Sequence, residues 1–197
     1  MADFKQTLSA ARWHCAPPAW ELTEDMLTVT TGKETDFWQS TFYGFRRDDG
    51  HFLGLEVAGD FSAIVTFEAD YEVLYDQAGL MMRSDSNTWL KAGIEYSDDV
   101  TNFSTFVTRA ARSDWSVIGV PKMTGPQSIL LTRLGGAVLT HYLAHDGQWQ
   151  LMRLADFPEN AAVTVGPMAC SPQREGLVVR FHKVDIGPPV DNPLHAE

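Results

Sequence analysis

Four residues between Gln77 and Tyr96 have the types and spacing to act together on a ligand: Gln77, Trp89, Lys91 and Glu95. Side chains alternate faces along a strand, so Trp89, Lys91, Gly93 and Glu95 share one side, while Leu90, Ala92, Ile94 and Tyr96 share the other. A lysine and a glutamate on one sheet face, with an indole at one end and a bare glycine between them, make a polar floor. An indole stacks on the apolar C–H face of a sugar, and charged side chains bond its hydroxyl edge. Glu95 is the candidate general acid or base, and Lys91 is placed to hold a hydroxyl or a carboxylate. The two lie about 13 Å apart at Cα, beyond hydrogen-bond reach unless both lean inward, so something else must complete their valence. A ligand would do so, and so would charges on neighbouring strands. Gly93 in a strand suits close approach of a ligand or of another backbone. Gln77 and Arg83 share parity with Met81 and extend the floor if the register sets them on the same face. Glycoside cleavage normally uses two carboxylates. This stretch places only Glu95, so binding is expected ahead of hydrolysis.

A second acidic group, Glu68, Asp70 and Glu72, has the i, i+2, i+4 spacing of one strand face. The pattern is similar to that of jelly-roll glucanases, whose two working carboxyls sit about 5 Å apart. Strand rise separates Glu68 from Glu72 by about 13 Å at Cα. Three acids in five residues is unremarkable in a chain with 26, and a solvated strand end is the expected reading.

The elements that must position these residues are strands. Residues 78–83 and 89–96 are strand-like runs joined by Ser84-Asp85-Ser86-Asn87, small polar residues that favour turns, and together they predict a β-hairpin. After the Pro17-Pro18 pair, short runs at 20–22, 27–31, 52–57 and 61–67 are rich in residues that suit a pleated surface. Asp36, Phe37 and Trp38 fall in a loop or strand start, the two aromatics serving either as core anchors or as part of a site. A strand is predicted at 102–109, then a polar loop at 113–116 carrying an exposed indole, Trp115. Hairpins follow around Gly135-Gly136 and Asp146-Gly147, and runs at 162–169 and 177–184 complete the set. No long apolar stretch has 3.6-residue spacing, and roughly a dozen strands about 8–12 residues apart predict an all-β sandwich. A single domain over residues 1–197 is expected, its core from about 20 to 184, with a loosely attached tail from 187 to 197.

The totals narrow the partners. Of 197 residues, 44% are hydrophobic and 11% aromatic, ample for a buried core. A formal charge of −11 would repel nucleic acid and anionic membranes, so neither is expected as a partner. Cys15 and Cys170 are too few for a disulfide scaffold and lack metal-motif spacing; free thiols, no metal and no cofactor are expected. The first residues contain no apolar export region, and no run reaches the ~18 apolar residues of a membrane span, so the expected location is cytoplasmic.

Five segments carry a resemblance: TDFW at 35–38, YGFRRDDGHFL at 43–53, YDQAGLMMR at 75–83, WLKAGIEY at 89–96 and SDWS at 113–116. In this order they resemble the YesU/regulation-of-enolase-like family, domain of unknown function 1349, and the likeness runs from about residue 20 to 181. It implies a concanavalin-A-like jelly roll of two antiparallel sheets with a concave groove. The family's recurring polar positions correspond here to Asp36, Trp38, Gln77, Lys91, Glu95, Asp114 and Trp115. Where the family often shows Asp-Gly after the glutamate strand, this chain has Asp98-Asp99, which alters a turn. The family has no assigned reaction. Some members occur in contexts of plant-polysaccharide or sugar use, and one namesake is linked to regulation of enolase; both are analogies. Two functions are therefore expected: a groove binding a sugar or sugar acid through Trp89 or Trp38 with Gln77, Lys91 and Glu95, or an acidic regulatory module that meets a protein partner.

Overall fold

The computed structural model describes residues 4–120 and 125–196. A short helix α1 (Phe4–Ser9) precedes β1 (Arg12–His14), β2 (Ala19–Leu22), β3 (Leu27–Thr30), β4 (Phe37–Gln39), β5 (Arg46–Asp48), β6 (His51–Val57), β7 (Phe61–Ala69) and β8 (Gln77–Asp85). Then come β9 (Thr88–Ser97), β10 (Val100–Arg109), β11 (Arg112–Gly119), β12 (Gln127–Leu134), β13 (Ala137–Leu143), β14 (Trp149–Asp156), β15 (Val163–Cys170) and β16 (Val178–Gly187). The additions to the dozen strands expected are mostly pieces such as β1, β4 and β5, three residues each. Three residues are too few to show a two-residue period.

Two seven-stranded sheets form the sandwich, in the orders β1-β6-β15-β8-β9-β10-β11 and β14-β13-β12-β7-β16-β3-β2, with β4 and β5 as a separate two-stranded ribbon. Every ladder in them is antiparallel. Between the sheets lies the main core. Ala78, Leu80 and Met82 of β8 and Leu90, Ala92 and Ile94 of β9 face it, as their alternation predicts, and belong to one buried cluster with Val65, Phe67, Ile129, Leu131, Val179 and Phe181 of the second sheet. Each of these side chains other than the alanines contributes about 1.5–3 kcal/mol when fully buried.

The other face of β8 and β9 is not open, contrary to what the polar pattern suggested. A second cluster, Phe37, Trp38, Phe52, Met81, Trp89, Phe106, Met168 and Cys170, covers much of it. The β4–β5 ribbon is its lid: Phe37 and Trp38 of β4 lie on the sheet, and the Gln39 amide donates to Ser113 Oγ on β11 at 2.8 Å. The central strand β9 is therefore buried on both sides along most of its length.

The hairpin turns differ from the expectation in informative ways. The tip of the β8–β9 hairpin is Ser86-Asn87, because pairing runs on as far as Asp85 opposite Thr88. Residues 113–116, expected as a loop, are the interior of β11, paired from Asn102 opposite Gly119 to Arg109 opposite Arg112. The turn before β11 is Ala110-Ala111, both left-handed with φ of 49° and 58°. Two-residue hairpins favour this conformation, but they usually signal it with glycine or asparagine. Asp98 and Asp99 make the same kind of turn between β9 and β10, with φ of 53° and 60°. Past β16 the chain folds back: the Val190 amide donates to Ser62 Oγ at 2.9 Å, and Ala196 is buried.

Candidate functional site

A cavity of about 390 Å3 opens where the outer face of the first sheet meets the β4–β5 ribbon. Its floor is built by register. Gln77 on β8 lies directly opposite Glu95 on β9, and Met81 opposite Lys91, so Gln77, Lys91 and Glu95 share a face. The gap between Lys91 and Glu95 is filled by Gln77. Its Oε1 accepts from Lys91 Nζ at 2.7 Å, and its Nε2 donates to Glu95 Oε1 at 3.3 Å. Only this orientation of the amide gives the ammonium an acceptor and the carboxylate a donor. The chain extends at both ends. Lys91 Nζ reaches Asp36 Oδ1 at 3.4 Å, and Ser104 Oγ on β10 donates to Glu95 Oε2 at 3.2 Å. Asp36 is itself fixed just before β4, accepting the Phe37 amide at 2.7 Å while its own amide donates to Asp49 Oδ1 at 2.9 Å.

Glu95 is 3% exposed. Burial pushes its carboxyl up to about 7, with Asp36 adding to the rise, while Lys91, Ser104 and, more weakly, the Trp115 indole oppose it. Near neutral pH the floor therefore holds both protonated and ionised Glu95, a state suited to proton transfer or to a ligand-linked change of charge. At the mouth, Tyr75 is pushed up to about 12, chiefly by its hydrogen bond with Tyr43 and then by burial.

The walls are aromatic. Phe106 on β10 stacks on Trp115 on β11, opposite it in register, with ring centroids 5.9 Å apart and planes 8° apart. Trp38 meets Phe106 edge-on at 6.2 Å and Tyr43 at 5.7 Å, its indole N–H donating to the Thr41 carbonyl oxygen at 3.0 Å. Tyr43 in turn stacks on Phe45 at 5.6 Å. These last two come from the loop between β4 and β5, whose tight path uses left-handed backbone at Ser40, Phe42 and Gly44.

Of the residues singled out by sequence, Asp36, Trp38, Gln77, Glu95 and Trp115 come together around this cavity. The other three do not line it. Lys91 is 0% exposed, its ammonium 4.3 Å from the Phe106 centroid, so it holds the floor together and cannot grip a ligand carboxylate. Trp89, expected as a stacking wall, is fully buried against Phe37 at 6.0 Å, because the ribbon covers its end of the strand. Asp114 has the opposite parity from Trp115 on β11 and pairs with Arg153 at 2.9 Å. Arg83 is likewise occupied, in a bidentate pair with Asp48 at 2.7 and 2.8 Å. The bare face of Gly93 is taken by backbone: a Cβ there would lie 2.1 Å from the Ala78 carbonyl oxygen, and one on its partner Gly79 would lie 2.2 Å from that of Ala92.

Sequence reasoning missed Glu34, Tyr43, Phe45, Arg47, Tyr75, Phe106, Pro172 and Gln173 in the lining. A usable signal existed for two of them, since Tyr43 and Phe45 stand in the aromatic-dense run TFYGF. Phe106 becomes visible only once β10 is paired with β9, which sets it opposite Lys91. The acidic group at 68–72 is a strand end: β7 stops at Ala69, and Glu68, Asp70 and Glu72 face His182, Arg180 and Arg174 at 3.2, 3.7 and 3.7 Å.

Comparison with known proteins agrees with this architecture. The family described as "Protein of unknown function (DUF1349)" matches residues 13–189. "Regulation of enolase protein 1" of Saccharomyces cerevisiae is 40% identical over 196 residues, covering 99% of this chain and 98% of that protein. A crystal structure of a functionally unknown protein from Saccharomyces cerevisiae superposes with a TM-score of 0.88 at 40% identity, covering 93% of this chain and 98% of the other. A legume lectin-like domain from Entamoeba histolytica shares the fold at 8% identity, with a TM-score of 0.65 and coverage of 93% and 92%. The chain belongs to the DUF1349 family and has its concanavalin-A-like jelly-roll fold.

Proposed function

We propose that this DUF1349 protein binds a small polyhydroxylated ligand, a mono- or disaccharide, in the cavity beneath the β4–β5 ribbon. One observation carries the reading: an aromatic-walled cavity of about 390 Å3 with Gln77 and Glu95 at its floor. That volume falls within the roughly 300–1,000 Å3 of small-molecule sites. Trp115, 39% exposed and stacked on Phe106, offers a flat apolar face for a sugar ring. Glu95 and Gln77 retain lone pairs or N–H groups beyond those they use on each other, and these can meet hydroxyls. A sugar acid fits less well than a neutral sugar, because the buried Lys91 is engaged by Gln77 and Asp36. Binding is favoured over glycoside cleavage. Of the other two carboxylates in the cavity, Asp36 is held by Lys91 and by the Phe37 amide, and Glu34 faces Lys33 at 3.8 Å.

A regulatory reading stands beside this one. The yeast relative is named for regulation of enolase, and this chain could likewise act on a protein partner. Phe42, at the tip of the β4–β5 loop and 92% exposed, would then be the contact surface, tied to the cavity wall by its edge-on packing against Tyr43 at 5.0 Å.

The test is a panel of neutral mono- and disaccharides with their sugar acids, read by tryptophan fluorescence and thermal shift. A ligand bound at 100 times its Kd should stabilise the protein by about 2.7 kcal/mol. Quenching and a raised melting temperature with neutral sugars are expected. A panel in which no sugar moves either signal overturns the proposal.

A further inference from the structure

We infer that the cavity selects a ligand bearing a protonated amine, an amino sugar in preference to its neutral parent; this rests on the reading of the cavity as a sugar site. The inference begins with the charges in the lining. Glu34, Asp36 and Glu95 are acidic, and Arg47 is the one basic side chain among the lining residues. Arg47 is turned to Asp49, with Nη2 at 3.0 Å and Nε at 3.3 Å from its two carboxylate oxygens. Lys91 lies beneath the floor and is engaged by Gln77 and Asp36, and Lys33, outside the lining, faces Glu34 at 3.8 Å. Among the described residues, the lining therefore presents carboxylates and no uncommitted positive charge.

The walls reinforce that preference. Aromatic faces carry negative quadrupole density and attract cations within about 6 Å of the ring centroid. This site already displays the interaction: the Lys91 ammonium sits 4.3 Å from the Phe106 centroid. Trp115 continues the same stack toward the opening, and Tyr43 and Trp38 flank it. A ring that stacks on Trp115 while an ammonium substituent reaches Glu95 uses the apolar wall and the acidic floor together. A carboxylate substituent in that place would meet Glu95 and Asp36 and be repelled.

Glu95 gives this recognition a proton linkage. Around it stand Gln77 on β8, Lys91 on its own strand, Ser104 on β10, Trp115 on β11, Asp36 from the ribbon, Tyr75 from the segment before β8 and the buried Cys170 thiol on β15, which burial pushes up to about 12. Burial holds its carboxyl near 7, and Tyr75 remains neutral well above that. A cation arriving at the floor favours the ionised carboxylate, so binding releases a proton at neutral pH.

The experiment titrates the full chain with hexoses and their 2-amino, 6-amino and 6-carboxylate counterparts, by calorimetry at pH 6.5 in buffers of different ionisation enthalpy. At least one amino sugar should bind about tenfold more tightly than its neutral parent, a difference of 1.4 kcal/mol, and the acids more weakly than either. Proton release to buffer should accompany the amine alone. Glu95→Gln, checked for folding by circular dichroism, should erase both the preference and the proton release, bringing the affinity of the amino sugar down to that of its neutral parent. Neutral sugars binding as well as every amino sugar would overturn this inference and leave the sugar site standing. Tighter binding of the acids would also overturn it. No binding by any member of the panel would overturn both readings.

Discussion

The two faces of β9 are built on different principles, although both are buried. The inner face, Leu90, Ala92 and Ile94, is uniformly apolar and meets apolar residues of the second sheet. The outer face alternates Trp89, Lys91 and Glu95, and beneath the β4–β5 ribbon it mixes an aromatic cluster with a hydrogen-bonded chain from Asp36 through Lys91 and Gln77 to Glu95 and Ser104. An apolar face is satisfied by packing alone. A buried polar face must also pair its donors and acceptors, as the chain from Asp36 to Ser104 does although the buried Trp89 indole N–H lacks a partner, and its members depend on one another more than their pairwise distances suggest. The inner face supplies the sandwich, and the outer face has the chemistry for a site.

That contrast can be broken at several points. The largest effect is expected where the outer face depends on packing. Phe37→Ala removes a fully buried ring that touches the Trp89 side of the floor, and should cost about 3–5 kcal/mol in urea unfolding, comparable with a large-to-small change on the inner face. A cost below that of an ordinary surface substitution would mean the ribbon is not part of the folded core. Lys91→Met keeps volume and removes the ammonium, leaving Gln77 and Asp36 without their shared donor. It should cost about 3 kcal/mol at pH 7, the low end for breaking a buried ionic pair by removing one partner. The exposed floor expected from sequence would have made the same change nearly neutral, so the measurement separates the two pictures directly.

Glu95→Gln should have a pH-dependent effect of opposite sign. The folded-state pKa of Glu95 is raised to about 7 from 4.5. The wild-type contribution is therefore fully present below about pH 4.5 and is lost as pH rises through 7. The neutral glutamine does not suffer that loss, so Glu95→Gln should match the wild type near pH 4.5 and exceed it by about 3 kcal/mol at pH 8. Denaturation at the two pH values checks this, and an equal difference at both would contradict it. The smallest effect is expected away from both faces. Replacing Ala110-Ala111 by Asn-Gly supplies residues suited to left-handed backbone and should stabilise by about 1 kcal/mol without changing ligand affinity.

How much of this was legible in sequence follows the same division. The alternation in 78–82 and 90–94 reports the inner face directly, because an apolar residue at every second position has one place to go. The outer residues were legible as a set, and register did bring Gln77 to Glu95. Their burial was not legible, since the cover is a three-residue strand and a turn-rich loop with no period to detect. Trp89 and Trp115 show the limit clearly. Both are tryptophans on strands of one sheet face, yet the ribbon reaches over the first and stops at the second. No local pattern distinguishes them. The turn before β11 is hidden for a different reason: Ala110-Ala111 adopts a conformation that alanine rarely signals, so the sequence suggests a loop around Trp115 although it does suggest the indole's exposure.

The central claim, that the outer face forms a ligand site where the ribbon ends, rests most directly on Trp115, which lines the cavity and is 39% exposed. Trp115→Ala should therefore be measured for melting temperature alone and with the neutral sugar or amino sugar that most stabilises the wild type. The account predicts a melting temperature within a few degrees of wild type, corresponding to about 1 kcal/mol or less for a half-exposed side chain, and loss of most of the ligand-induced rise. A variant that keeps the full ligand-induced rise would place the binding surface elsewhere and contradict the account.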